Sequence, residues 1–276
     1  DTHLDLMVQT REGETRRLRV NGAPGPLPLE PGPVRVASSF LLSGIEHILG
    51  GVEHLLFLLC LVVPLLAWRP LVAVVTAFTA GHTLTLASTT LGWAPSGASF
   101  SAFVEWLIAG SVLWLALMVV LHGLGELSTR TPRWRLAFFF GLLHGYGFAF
   151  MLAEQMQFSA GHLFIALGAF TLGVELGQLL VIACALPMLA LAFRVLSMRA
   201  VQLLVGVLVA HASGHWGLER WETFSAYGLA WPVLDLVFLH EALRGMLVAA
   251  IAFALYFMMG RLEARLVAPG AGRPDR

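Results

Sequence analysis

From Ser38 onward the chain is a succession of apolar runs separated by short polar connections. Seven runs, at roughly 51–68, 70–91, 101–123, 134–153, 164–193, 200–216 and 232–260, are each long enough to cross about 30 Å of bilayer hydrocarbon as a helix. A short amphipathic helix over 39–49 precedes the first, set off from it by Gly50 and Gly51. Pro187 predicts a kink or an end region in the fifth run. The semi-polar stretch 217–231 reads as interfacial. Residues 1–37 differ from all of this. The runs Leu4–Val8 and Arg16–Val20 predict two strands, and Asn21–Pro33 is rich in glycine and proline. So little chain builds no core, so 1–37 reads as an extracytoplasmic tail or the remnant of a β-rich domain. The expected fold is therefore all-α: a polytopic membrane bundle of about seven helices over 38–266, followed by a cytoplasmic tail at 267–276.

Composition supports a lipid solvent. Of 276 residues, 58% are hydrophobic and 12% charged, against about 25% charged in ordinary globular chains. The mean hydropathy is +0.79. Arginine balances the acids and lysine is absent, so there is no basic patch for nucleic acid. Cys60 and Cys184 lie within apolar runs and read as small hydrophobes rather than a disulfide. Arginines gather in alternate connections: Arg69; then Arg130, Arg133 and Arg135; then Arg194 and Arg199; then Arg261 and beyond. The positive-inside rule makes those connections cytoplasmic, giving an N-out, C-in protein of a bacterial inner membrane with a periplasmic N-terminus. The start at Asp1 reads as following a removed segment.

Ionisable groups inside spans are costly and mark function. Here they are His47, Glu53, His54, His82, Glu105, His144, Glu175, His211, His215, His240 and Glu241. Counted up from the inner arginines, His144 lies at about 14 Å, His211 at about 18 Å, His82 at about 20 Å, His54 at about 22 Å and Glu175 at about 28 Å. They occupy one slab from the midplane to the outer face, and the inner half holds almost none. Neutral imidazole with carboxylate suits a divalent transition metal, nickel or zinc foremost, and suits calcium poorly. His211 and His215 share a helix face at ligand spacing. With no lysine nearby, a carboxylate there must be protonated or paired with a metal, a histidine or Arg244. Single histidines such as His122 and His162 read instead as neutral hydrogen-bonding groups between helices. Gly173 and Gly177, and Gly141, Gly145 and Gly147, predict close helix approach beside Glu175 and His144. Gln178, near Glu175, is placed to support it.

Four segments in order resemble the HupE/UreJ family of hydrogenase- and urease-accessory membrane proteins. Gly44 to Leu59, with His47, Glu53 and His54, is similar to that family's His-x5-Asp-His signature, with Glu53 in place of the aspartate. Thr76–Leu86 around His82, Gly141–Ala149 around His144 and Leu172–Gln178 around Glu175 resemble its later motifs. The resemblance covers about 39–190 and is nearest to the branch with an N-terminal extracytoplasmic segment. It implies a nickel, sometimes cobalt, permease. His211, His215, His240 and Glu241 rest on position alone.

Three functions fit these residues. In a permease, His47, Glu53 and His54 capture the ion at the outer mouth and His82, His144 and Glu175 pass it inward. In an intramembrane metallohydrolase, three histidines and a carboxylate base activate water. In a metal-stabilised accessory subunit, the helices hold a membrane-complex partner or a homo-oligomer.

Overall fold

The computed structural model describes residues 3–9, 15–21, 32–64, 68–94, 97–126, 133–156, 162–227 and 236–267. The chain divides into two compact units, Asp1–Gly32 and Pro33–Arg276. In the first, β1 (His3–Gln9) pairs antiparallel with β2 (Thr15–Asn21), with Leu6 opposite Leu18 and Asp5 opposite Arg19. Both runs read as strands in the sequence therefore form them.

The second unit is helical: α1 (Pro33–Gly50), α2 (Val52–Val62), α3 (Trp68–Thr90), α4 (Ala98–Leu124), α5 (Arg133–Met156), α6 (Leu163–Val195), α7 (Met198–Ala226) and α8 (Leu236–Val267). Among the described residues, α3 from Pro70, α4, α6, α7 and α8 over Ala242–Arg261 are long and apolar enough to cross a membrane. The pair α1 and α2 would add a sixth crossing as one span bent by 71°. The protein is a polytopic helical bundle.

The start of the bundle departs from the expected pattern. Instead of a short helix at 39–49 and a full span at 51–68, the structure has an 18-residue α1 and an 11-residue α2 that meet at Gly51. Gly51 leaves the helical region (φ −86°, ψ 102°) while its N–H still donates to His47 O at 3.1 Å. A Cβ there would stand 2.5 Å from His54 Nδ1 and 3.0 Å from His47 O, so the break is built for a residue without a side chain. The break at Gly51 separates two helices about 27 and 17 Å long. Farther on, Pro187 lies within α6, which continues to Val195. Likewise α7 runs to Ala226, through much of the stretch expected to be interfacial.

Lipid is as apolar as leucine, so helices here associate through close packing and polar contacts rather than through exclusion of water. Glycines set that packing in the three most extensive helix pairs. Gly44 of α1 lies against the Phe170 carbonyl of α6, and Gly177 lies against Ile45 and Ile48. Gly81 of α3 meets Phe138 and Leu142 of α5, while Gly141 meets Phe78 and Gly145 meets Thr85. In both pairs the residue numbers rise together, so the helices run parallel. Gly123 of α4 faces Gln202 and Leu203 of α7, and Gly206 faces Ala116 and Val120, so these two run antiparallel. For α8, Arg244 donates to Gly92 O at 2.9 Å, beyond the C-terminal end of α3, and Gly260 faces Trp134 at the start of α5. It thus runs against α3 and α5.

Candidate metal centre

The break between α1 and α2 places His47 in the last turn of one helix and His54 in the first turn of the next, with their rings 4.5 Å apart. His82 of α3 joins them, its ring 5.7 Å from that of His47. One ligand atom from each of these three histidines lies within 4.8 Å of the others. His144 of α5 stands beside them, 5.3 Å from the His54 ring. A metal–nitrogen bond of about 2.0–2.1 Å puts an imidazole centroid about 3 Å from the ion, so two tetrahedral ligands have centroids about 5 Å apart. The observed spacings bracket that value.

The nitrogens are available for ligation. Both nitrogens of His54, His82 Nε2 and His144 Nε2 are buried without a hydrogen-bond partner among the described residues. Each such orphan costs roughly 1–3 kcal/mol, so four together are hard to explain as packing. His144 also has its tautomer set. Its Nδ1 lies 2.8 Å from Phe140 O, a carbonyl that only accepts, so Nδ1 donates and Nε2 carries the lone pair. These residues therefore fit a divalent transition metal.

Aromatic side chains wall the group. Phe78 and Phe170 lie nearly parallel to the His82 ring, at 5.9 and 6.4 Å. Phe57 packs on Phe78 at 5.0 Å and on Phe140 at 5.7 Å. Phe57, Phe78 and Phe140 stand three or four residues from His54, His82 and His144 respectively, about one helix turn each. All three lie on the side of their histidine nearer the Arg69 and Arg133 ends, so apolar rings flank the group on that side. No reading of single residues pointed to them. The recurring His/Phe spacing on three helices was the available signal.

The other expected ligands stand elsewhere. Glu53 is half-buried in the first turn of α2 and is not part of the converging group. Glu175 accepts a 2.8 Å hydrogen bond from Thr76, and its neighbour Gln178 accepts one from Thr79 at 3.0 Å, with Thr83 and Thr171 paired at 3.1 Å. Thr76 lies only about 10 Å along α3 from Arg69, so the height of about 28 Å expected for Glu175 is too great. With 33 residues, α6 is about 50 Å long and exceeds the hydrocarbon, which invalidates counting from Arg194. Glu105 pairs with Arg220 at 3.0 Å, and Arg244, one of the partners considered for a buried carboxylate, donates to the Gly92 carbonyl. His211 and His215 lie together on an exposed face of α7, outside the buried group. His240 is exposed on α8, and the side chain of Glu241 lies outside the described residues. Cys60 is buried, Cys184 is exposed, and both are free.

The family described as HupE / UreJ protein matches residues 28–220, well over half of the chain, and the chain belongs to that family. No curated protein and no solved structure matches it.

Proposed function

With membership of the HupE/UreJ family as the premise, we propose that the protein is a divalent-metal permease of a bacterial inner membrane, taking nickel, cobalt or zinc from the outer face. It crosses the membrane seven times, N-out and C-in, with α1 and α2 as one broken span and α5 as another crossing. The directions seen within the pairs α1 and α6, α3 and α5, α4 and α7, and of α8 against α3 and α5, are those that seven alternating crossings require. The observation that carries the reading is where the histidines converge: at a sharp break between two helices. Irregular backbone within a membrane is tolerated where it lines a site, and transporters place their ion sites at such breaks.

His47, His54 and His82 form the binding group, with His144 as the next ligand inward. Three neutral imidazoles leave the charge of a divalent ion uncompensated, which suits a site that releases its cargo. Phe57, Phe78 and Phe140 close the inner side and hold the ion until the helices shift. Beyond them, Glu175 with Thr76, and Gln178 with Thr79, supply oxygens toward the cytoplasm. Glu53, at the start of α2, serves at the entrance rather than in the group.

Hydrolysis is the weaker reading. A metal-bound water needs a carboxylate base within reach, and neither Glu53 nor Glu175 joins the histidines. The role of metal-stabilised accessory subunit has no observation of its own. The test is uptake of nickel, cobalt and zinc into proteoliposomes, beside a His54→Ala control. Uptake no greater than in that control ends the permease reading.

A further inference from the structure

His211 and His215 lie four residues apart on α7, with their rings 4.7 Å apart at 85°. α7 packs on α4 through the face that buries Gln202, Gly206, Val209 and Ser213. The histidines occupy the opposite face, exposed together with Leu204, Val207, Leu208 and Leu218. Their depth follows from two charged markers. Arg199 opens the helix and Arg220 is tied to Glu105 at 3.0 Å. These arginines are about 31 Å apart along the axis, which matches the hydrocarbon thickness. His215 and His211 then lie about 8 and 14 Å inside the outer layer. Lipid offers an imidazole no hydrogen bond, so this face is costly unless something covers it.

The ring spacing is close to the roughly 5 Å expected for two tetrahedral ligands of one ion. Two imidazoles fill only half of such a shell. No third histidine, cysteine or acid among the described residues joins them, and water is scarce at that depth. A two-fold axis past the pair supplies the missing half, because a symmetric interface sets each residue near its own copy. Gly214 lies between the two histidines in sequence, and a side chain there would meet nothing within 4 Å. Gly206, by contrast, is pressed against α4. A helix glycine without a neighbour in its own chain leaves room for a second backbone.

We propose that His211 and His215 form a second divalent-metal site, completed by the same two histidines of a second copy of this chain. The site is independent of the buried group and stands whether or not that group transports. Native mass spectrometry of the full chain, with zinc and then a chelator, tests it. Zinc should shift the species from 29.9 kDa to twice that mass, and chelation should reverse the shift. His211→Ala and His215→Ala should each stay monomeric at the same zinc concentration, while His54→Ala should dimerise as the wild type does. A Leu218→Cys substitution in a Cys184→Ser background should form a disulfide-linked dimer with zinc and not with chelator, and Phe253→Cys on α8 should form none. The proposal is overturned by a mass that does not respond to zinc or a dimer that survives both histidine variants. It is equally overturned by zinc held at the pair of a single chain, or by a different protein in place of the second copy.

Discussion

His54 and His215 are both imidazoles on helices of the bundle, with opposite surroundings. His54 is buried at the bend between two helices, beside His47 and His144 and under Phe78, with both ring nitrogens lacking a hydrogen-bond partner among the described residues. His215 stands on the exposed face of a continuous helix beside His211 alone. The first setting gathers histidines from four helices of one chain. The second has a single helix to draw on, so geometry limits it to two ligands. The number of backbone segments that meet at a residue, more than its type, sets how many ligands one chain can offer there.

That contrast breaks most sharply at His82. His82→Ala should lower metal affinity of the buried group at least ~100-fold, since even indirect supporting contacts are worth 10–100-fold; isothermal titration with zinc measures it, and a change under about tenfold would demote His82 from ligand to packing. Next in size, Phe57→Ala separates wall from ligand. It should lower thermal stability by about 2 kcal/mol, less than in a water-solvated core because the unfolded helices stay in lipid. Zinc affinity should change less than tenfold while metal crosses proteoliposomes faster, and unchanged flux would remove the wall from the mechanism. Thr76→Val takes one hydroxyl donor from Glu175 and should cost about 1 kcal/mol. If that carboxylate lies on the exit route, initial uptake falls severalfold with bound metal unaltered, a pairing that separate assays of flux and metal content would reveal. Smallest of all, His215→Ala should leave affinity at the buried group within twofold; a larger loss would mean that the two sets of histidines are coupled.

Much of the fold was legible along the chain because a bilayer imposes length and apolarity on every crossing. The apolar runs predicted α3, α4, α5 and α6 to within about three residues of their observed bounds, and residues 4–8 and 16–20 did form strands. The glycine break before residue 52 was legible, but the bounds on either side of it were not: α1 begins at Pro33 rather than at 39, and α2 ends at Val62 rather than at 68. Candidate ligands were legible as costly polar residues, yet depth counted along one helix could not sort them. His47, His54, His82 and His144 converge; Glu175 turns to the threonines of α3, and Glu105 finds Arg220.

By itself the sequence determined the solvent, the helical class, the family motifs and the set of residues able to bind a metal. Those properties follow from composition and local spacing, which any stretch of chain carries with it. Only the tertiary structure decided which of those residues meet. Parallel packing of α1 on α6 and of α3 on α5, through glycines that let backbones touch, brings residues far apart in the chain to one point. The 71° bend at Gly51 then turns His47 and His54 toward each other. Such convergence depends on helix direction, tilt and contact distance, quantities that long-range packing sets and that no periodicity along a single helix encodes.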